Sequence, residues 1–258
     1  MVIRLSLIIP FLNSQEVVRR QVIYMRRQDY PDDVEIIFLD DGSDPPLKVE
    51  NPPKNFCLHA TNDFRKWTSS LARNTGAKLA RGEYLFMTDG DYIVSREAME
   101  RARRFTGDRL GCRREFGVLT EAGELTQDHA VLMEYGLVPQ RIRERGTKMP
   151  PHPNNFVMRK TLFEEMGGYD EKLILTRDYP QKEDTDFKRR LAKLRDAGKI
   201  VMSDDARPVL FMFPNGQYCG DVDYNPFGLF HTLTRKTPHN HWYMNPRYKQ
   251  KSAERSSS

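Results

Sequence analysis

Two aspartates flank a glycine in "YLFMTDGDYIV", residues 84–94, directly after an apolar run suited to a buried strand. If the strand continues through them, its period of two turns the Asp89 and Asp91 side chains the same way. Two anions held so close repel each other unless a cation or hydrogen-bond donors sit between them. Holding a divalent ion is therefore the chemistry this pattern suits. An ordinary loop is the competing account, since Asp and Gly favour turns. A calcium loop starting at Asp89 would place its twelfth-position acid at Glu100. That loop needs an oxygen ligand and then a glycine where Ile93 and Val94 stand, so it is rejected.

A second acidic pair, Asp40 and Asp41 in "FLDDGS", ends another apolar run. These carboxylates suit an imide N–H of a base or ribose hydroxyls, or else they cap the following turn. Arg73 lies on a predicted helix leading toward the strand that carries Asp89, within reach of a diphosphate. Its plainer role is that of a surface arginine. Glu183 and Asp184 open another predicted helix, where an acid also complements the helix dipole.

The elements that must position these groups follow from periodicity. "VIRLSLII" reads as a strand stopped by Pro10. Ser14 caps a helix with Val18, Val22 and Met25 on one face. "VEIIFL" is a strand running into the turn "DDGSDPP", and "NFCLH" is a weaker one. Ser69 or Ser70 caps a helix with Leu71, Thr75 and Leu79 at helical spacing, closed by Gly82, and "EYLFMT" follows as a strand. This β-α-β-β-α-β order with apolar strands predicts an α/β fold, a mostly parallel sheet with helices on both faces. "PFLN", "DDGS" and "DGD" all fall at strand ends, where ligands of such sheets bind. Further on, residues 96–105 read as a helix before an Arg-rich loop and edge strand. "NNFVMR" is a strand, followed by a short helix with a capping box from Thr161 to Glu164 and a Gly167-Gly168 stop. "EDTDFKRRLAKLRDAG" is a helix with Phe187, Leu191 and Leu194 as its stripe, and "RPVLFMF" is a last strand. "KSAERSSS" reads as a disordered tail.

With 258 residues, 38% hydrophobic and 30% charged, the chain suits a single compact domain with a heavily charged surface. No apolar run approaches the roughly 18–20 residues of a bilayer span, so a soluble cytoplasmic protein is expected. Cys57, Cys112 and Cys219 are too scattered for a disulfide framework or zinc site, and are expected as buried free thiols. The net charge of +5 favours anionic partners in general. Arginines cluster in "REAMERARRFTGDRLGCRRE" and "RIRERGTK", either as solvated faces or as a surface meeting phosphates on an acceptor.

Six short motifs occur in order: "IIPFLN", "LDDGS", "ARNTGA", "TDGD", "MGGYDE" and "KEDTDF", spanning residues 3 to about 190. As a set they resemble the family-2 glycosyltransferases of the Rossmann-like GT-A fold. The resemblance implies a nucleotide-sugar-binding half at residues 1–95 and an acceptor-binding, catalytic half of the same domain at 96–230, with a C-terminal extension at 231–258. It implies that Asp40 and Asp41 hold the uridine of a UDP-sugar, with the backbone at Pro10 and Phe11 lining that pocket. Arg73 would lie near the nucleotide or its diphosphate. Asp89 and Asp91 would touch the ribose and a Mn2+ or Mg2+ bridging the phosphates. Asp184 of the Glu183-Asp184 pair would be the general base of an inverting transfer.

Two departures stand out. Tyr92 replaces an acid that often follows the Asp-x-Asp pair. After "RPVLFMF", where metal-dependent relatives often carry a histidine ligand, this chain has Phe213 and Pro214. His231 is the leading substitute, with His239 and His241 behind it. The Gln-x-x-Arg-Trp signature of processive synthases is absent, which favours single additions. Acceptors in view are a glycan, a lipid-linked group, a protein, or a nucleic acid such as a hydroxylated base. Of the rivals, a sugar nucleotidyltransferase needs a glycine-rich loop that "IIPFLNSQE" lacks. A non-catalytic nucleotide-sugar or nucleic-acid binding module would tolerate loss of Asp184.

Overall fold

Apolar strands and amphipathic helices alternate along the first part of the chain, as its pattern dictates. The computed structural model describes residues 2–63, 68–137, 139–174, 182–203 and 207–214. His231, His239, His241, Cys219 and the C-terminal extension lie outside the described residues. The chain runs β1 (Leu5–Phe11), α1 (Gln15–Gln28), β2 (Val34–Asp40), β3 (Phe56–Ala60), α2 (Ser69–Leu79), β4 (Tyr84–Met87), β5 (Tyr92–Val94) and α3 (Arg96–Arg104). Next come β6 (Arg109–Gly111), β7 (Arg113–Phe116), β8 (Val118–Leu119), β9 (Leu125–Thr126), α4 (His129–Glu134), α5 (Pro139–Arg145) and β10 (Lys148–Met149). Last are β11 (Phe156–Arg159), α6 (Lys160–Glu165), a 3-10 turn (Glu171–Ile174), α7 (Lys182–Asp196), β12 (Met202–Ser203) and β13 (Val209–Met212).

The main sheet has seven strands in the order β12-β6-β11-β4-β1-β2-β3. Every strand runs the same way except β11, which is antiparallel to both β4 and β6. A second sheet, β10-β7-β13-β5, takes up the chain beyond β4, and β8 and β9 form a small ribbon. Both faces of the main sheet are covered, which is why its strands read as continuous apolar runs. Leu5, Leu7 and Ile9 pack with Val18, Val22 and Met25 of α1 and Met99 of α3. Ile8, Leu39 and Met87 point the other way, onto Ala72 and Ala77 of α2 and onto Phe187 and Leu191 of α7. Burial of side chains this size contributes ~1.5–3 kcal/mol each. No helix among the described residues is long and apolar enough to cross a membrane.

Several local expectations are corrected. Pro10 does not stop β1; it pairs with Leu39, and the strand reaches Phe11. Thr88 donates to the Ile8 carbonyl at 3.3 Å and Asp41 to the Phe11 carbonyl at 2.8 Å. By the alternation of the pleat, Pro10 turns its nitrogen toward the β4 side, past the last β1–β4 pair at Ile8 and Met87, where no ladder bond is lost. In α2 the Leu71, Thr75 and Leu79 stripe faces outward, Leu79 being 41% exposed. The buried face carries Ser70, Ala72, Arg73, Asn74, Gly76 and Ala77. A Cβ at Gly76 would lie 2.4 Å from Ile8, so small residues let this helix sit close on the sheet. Thr68, not either serine, is its N-cap residue, and the helix ends at Leu79, short of Gly82.

The capping box at Thr161 does not form, because β11 runs straight into α6 at Arg159. The Glu83 carbonyl instead accepts from the Lys160 N–H at 2.8 Å. Ser14 stands at the N-cap of α1, yet its hydroxyl donates to the Leu12 carbonyl at 2.8 Å. Cys112 is buried as expected, but Cys57 is exposed, because β3 is the sheet's edge. The arginine run is divided between surface and interior, with Arg96, Arg101, Arg104 and Arg113 exposed. Arg103 donates to Asp33 at 2.7 Å, Arg101 pairs with Glu97 at 2.9 Å, and Arg109 and Arg114 are buried.

Candidate active site

Three adjacent parallel strands, β4, β1 and β2, end on one rim, and the expected site residues Pro10, Phe11, Asp40, Asp41 and Asp89 gather there. A helix that leads back to the start of a parallel strand runs against the sheet direction, so α2 before β4 and α7 before β12 begin at the same rim. They bring Arg73, Glu183 and Asp184.

At the end of β2 the two aspartates divide. Asp40 accepts the Ser43 N–H at 2.8 Å on Oδ1 and the Leu47 N–H at 2.9 Å on Oδ2. It thus caps the turn with both oxygens, the plainer of its two expected roles. Asp41 is 5% exposed and its Oδ1 has no hydrogen-bond partner among the described residues. Burial pushes its carboxyl up to about 7; the Thr68 hydroxyl and Arg73 pull it down, while Asp63 and Asp40 add to the rise.

Asp89, Gly90 and Asp91 form a turn between β4 and β5, closed by the Tyr92 N–H donating to the Asp89 carbonyl at 3.1 Å. They are not successive residues of one strand, so the pleat does not align the two acids. Gln21 of α1 pins the turn by donating to the Gly90 carbonyl at 3.0 Å and the Tyr92 carbonyl at 2.8 Å. A Cβ at Gly90 would lie 2.6 Å from the Phe11 ring, so only glycine lets the turn rest on the end of β1. Asp91 is buried, and its carbonyl accepts the Phe213 N–H at 3.0 Å. Tyr92, at the position where relatives often carry an acid, buries its hydroxyl against Arg114, which donates to it.

Arg73 occupies the centre. It is 4% exposed, lies 5.5 Å over the Tyr169 ring and donates through Nη2 to Asp89 Oδ1. Its Nε and Nη1 have no hydrogen-bond partner among the described residues. Burial opposes its charge, but Asp89, Tyr169, Glu183 and Asp184 outweigh that and hold the guanidinium protonated. For Asp89 burial is likewise outweighed, by Arg73, His152 and Arg114, and its carboxyl is held below the usual range. Glu183 is buried; Asp184 is half-buried, with an Oδ1 that has no hydrogen-bond partner among the described residues. One turn on, Phe187 stacks on Tyr169 at 4.6 Å and Phe156 at 5.6 Å, which fixes the start of α7.

Two participants escape sequence reasoning. Asn74 joins α2 to the Gly-Gly-Tyr-Asp-Glu turn: its Oδ1 accepts the Tyr169 N–H at 2.9 Å, and its Nδ2 donates to the Tyr169 carbonyl and Glu171, each at 2.9 Å. His152, in the loop "PPHPNN" before β11, sets its Nδ1 3.6 Å from Asp89 Oδ2. Its only sequence signal is a histidine between prolines just ahead of a strand. Because β11 alone runs antiparallel, with Phe156 opposite Met87, that loop arrives at the rim where β4 ends. Burial lowers the imidazole's pKa, with Asp89 pulling the other way.

No group of three or more His, Cys, Asp or Glu side chains among the described residues converges as a metal cage. The donor set is nevertheless compatible with Mn2+ or Mg2+, which take one or two protein ligands and complete their shells with substrate phosphates and water. His231 does not enter this test, lying outside the described residues.

Known proteins resemble this chain in sequence and in fold. Residues 6–167 match the profile described as Glycosyl transferase family 2. The uncharacterized glycosyltransferase EpsJ of Bacillus subtilis (strain 168) is 25% identical over 231 residues, covering 86% of this chain and 64% of EpsJ. The poly(ribitol-phosphate) beta-N-acetylglucosaminyltransferase TarP of Staphylococcus aureus (strain N315) is 30% identical over 101 residues, 38% of this chain and 31% of TarP. Among solved structures, S. aureus TarS aligns at TM-score 0.49 and 19% identity, over 83% of this chain and 37% of that one. The chain thus spans less than two thirds of the length of each of these relatives. Since the profile covers more than half of its 258 residues, the chain belongs to glycosyl transferase family 2.

Proposed function

We propose that this chain transfers a sugar from a nucleotide-diphospho-sugar, UDP-linked, to an acceptor hydroxyl with inversion at the anomeric carbon. The observation that carries this reading is the gathering of Asp41, Asp89, Glu183 and Asp184, from three distant segments, around the buried guanidinium of Arg73. Open hydrogen-bonding atoms on Asp41, Arg73 and Asp184 lie in this one place and suit the polar groups of a ligand.

Each open atom has a task. Asp41 Oδ1 accepts the imide N–H of uracil. Arg73 Nε and Nη1 donate to diphosphate oxygens and offset the charge that grows there as the glycosidic bond breaks. Asp184 takes the proton of the acceptor hydroxyl while that oxygen attacks the anomeric carbon from the face opposite the diphosphate, which departs with the bonding electron pair. Asp89, with Asp91 beside it in the turn, would hold a divalent ion, Mn2+ or Mg2+, which would supply Lewis-acid neutralisation of the leaving diphosphate. The acceptor is a glycan, a lipid-linked group or a protein. Arg109 and Arg114 are buried and Arg101 and Arg103 are paired with acids, but Arg96, Arg104 and Arg113 are exposed, so a nucleic acid stands as the alternative acceptor.

Asp184→Asn tests the reading. Transfer should fall ~10²–10⁴-fold, the range of general-base catalysis, while UDP-sugar affinity stays within about threefold of the parent. Transfer at the parent rate would remove Asp184 from the mechanism.

A further inference from the structure

We propose that His152 is a nitrogen ligand of the divalent ion, chelating it through Nδ1 together with Oδ2 of Asp89. This rests on the donor-site reading above and assigns the position that neither Phe213 nor Pro214 can fill. The 3.6 Å between Nδ1 and Oδ2 exceeds the roughly 2.7–3.2 Å of a hydrogen bond. Two donors each ~2.1 Å from one ion stand ~3.0 Å apart at a right angle and ~4.2 Å apart on opposite sides, so the spacing lies within the chelating range.

The proton arrangement points the same way. Nδ1 accepts the Asn154 N–H at 3.3 Å, a long contact that leaves its single in-plane lone pair weakly engaged and puts the proton on Nε2. A cation arriving between Nδ1 and the Asp89 carboxylate oxygen would take that lone pair over from the Asn154 N–H. Asp89 divides its oxygens to match: Oδ1 takes Arg73, and Oδ2 is left toward His152.

The loop is built to hold its place. Arg114 donates to the Pro150 carbonyl at 2.5 Å and Arg109 to the Pro153 carbonyl at 3.2 Å. The Tyr169 hydroxyl donates to Asn154 Oδ1 at 3.0 Å, and the Thr88 hydroxyl to Asn155 Oδ1 at 3.0 Å. His152 and Asp89 keep 32% and 18% of their side-chain surface exposed, enough to admit an ion that brings phosphate oxygens with it.

Mn2+ binding is measured by electron paramagnetic resonance, first with Mn2+ alone and then with UDP, and pulsed measurements read the nitrogen coupling of a bound imidazole. The parent and His231→Ala should show that coupling. His152→Ala should lose it and bind Mn2+ at least tenfold more weakly. His152→Asn, which keeps an acceptor for the Asn154 N–H and so guards against misfolding, should retain some Mn2+ yet also lose the coupling. Coupling that persists in His152→Asn, or that disappears with His231, would overturn the assignment, as would a parent that binds no Mn2+. If UDP strengthens Mn2+ binding but His152→Ala binds Mn2+ as tightly as the parent, the ligand assignment fails and the donor reading survives. If UDP has no effect but the coupling still depends on His152, the donor reading fails and the ligand stands.

Discussion

Replacing Asp41 with asparagine should make the protein more stable and worse at binding its donor. The folded state raises the Asp41 carboxyl from 3.8 to about 7, chiefly by burial, which is equivalent to roughly 4 kcal/mol of ionisation cost at full charge. A folded state that holds a proton more tightly than the unfolded chain is favoured at low pH. The stability tied to Asp41 is therefore complete below pH 3.8, is lost as pH rises toward about 7, and is flat beyond. Asparagine keeps the shape and removes this slope. Between pH 5 and pH 8 its advantage should grow by about 3 kcal/mol, which for a chain of this size is ~6–12 °C in Tm. Thermal melts of both proteins without nucleotide, across that interval, give the answer directly. Calorimetric titration with UDP should meanwhile show ~10–150-fold weaker binding, the loss of one hydrogen bond to a charged acceptor. A Tm difference that is constant with pH, or an asparagine variant that is less stable at pH 8, would refute the reasoning.

Gly90→Ala places a methyl 2.6 Å from the Phe11 ring and so displaces the Asp89–Asp91 turn; transfer should fall at least tenfold with UDP-sugar KM raised, and unchanged kinetics would show the turn to be tolerant. Asn74→Ala severs three bonds to Tyr169 and Glu171 and should cost about 2–4 kcal/mol in denaturant unfolding; a loss under about 1 kcal/mol would mean α2 does not depend on that turn. Cys57 is exposed, whereas burial raises the Cys112 thiol, so peptide mapping after brief alkylation should find Cys57 labelled and Cys112 intact. Labelling of Cys112 before denaturation would contradict the packing around β6 and β7.

The strand ends were legible because apolar runs, turn residues and acids coincide in the sequence, and β4, β1 and β2 place them on one rim. The reading of α2 went astray for an instructive reason. Leu71, Thr75 and Leu79 have the spacing of a core stripe, yet the helix buries its small residues, because close approach through Gly76 gains more contact than leucines held at a distance. The capping box failed because a strand feeding directly into a helix leaves no room for a cap residue. The basic run divides, most of it exposed as a solvated face and part of it buried, since charge along a sequence does not show which arginines fold inward to carbonyls and carboxylates.

The sequence by itself determined the order of strands and helices as far as β4, the family, and the candidacy of Asp41, Arg73, Asp89 and Asp184, because those rest on local pattern and on motifs short enough to read in line. Tertiary structure alone decided that Asp40 serves the turn and Asp41 stays open, that Arg73 lies against Asp89, and that His152 arrives beside them. The physical reason is strand direction. One reversed strand, β11, carries a loop from far along the chain to the rim where β4 ends, and no periodicity in a single segment records which way its neighbours run.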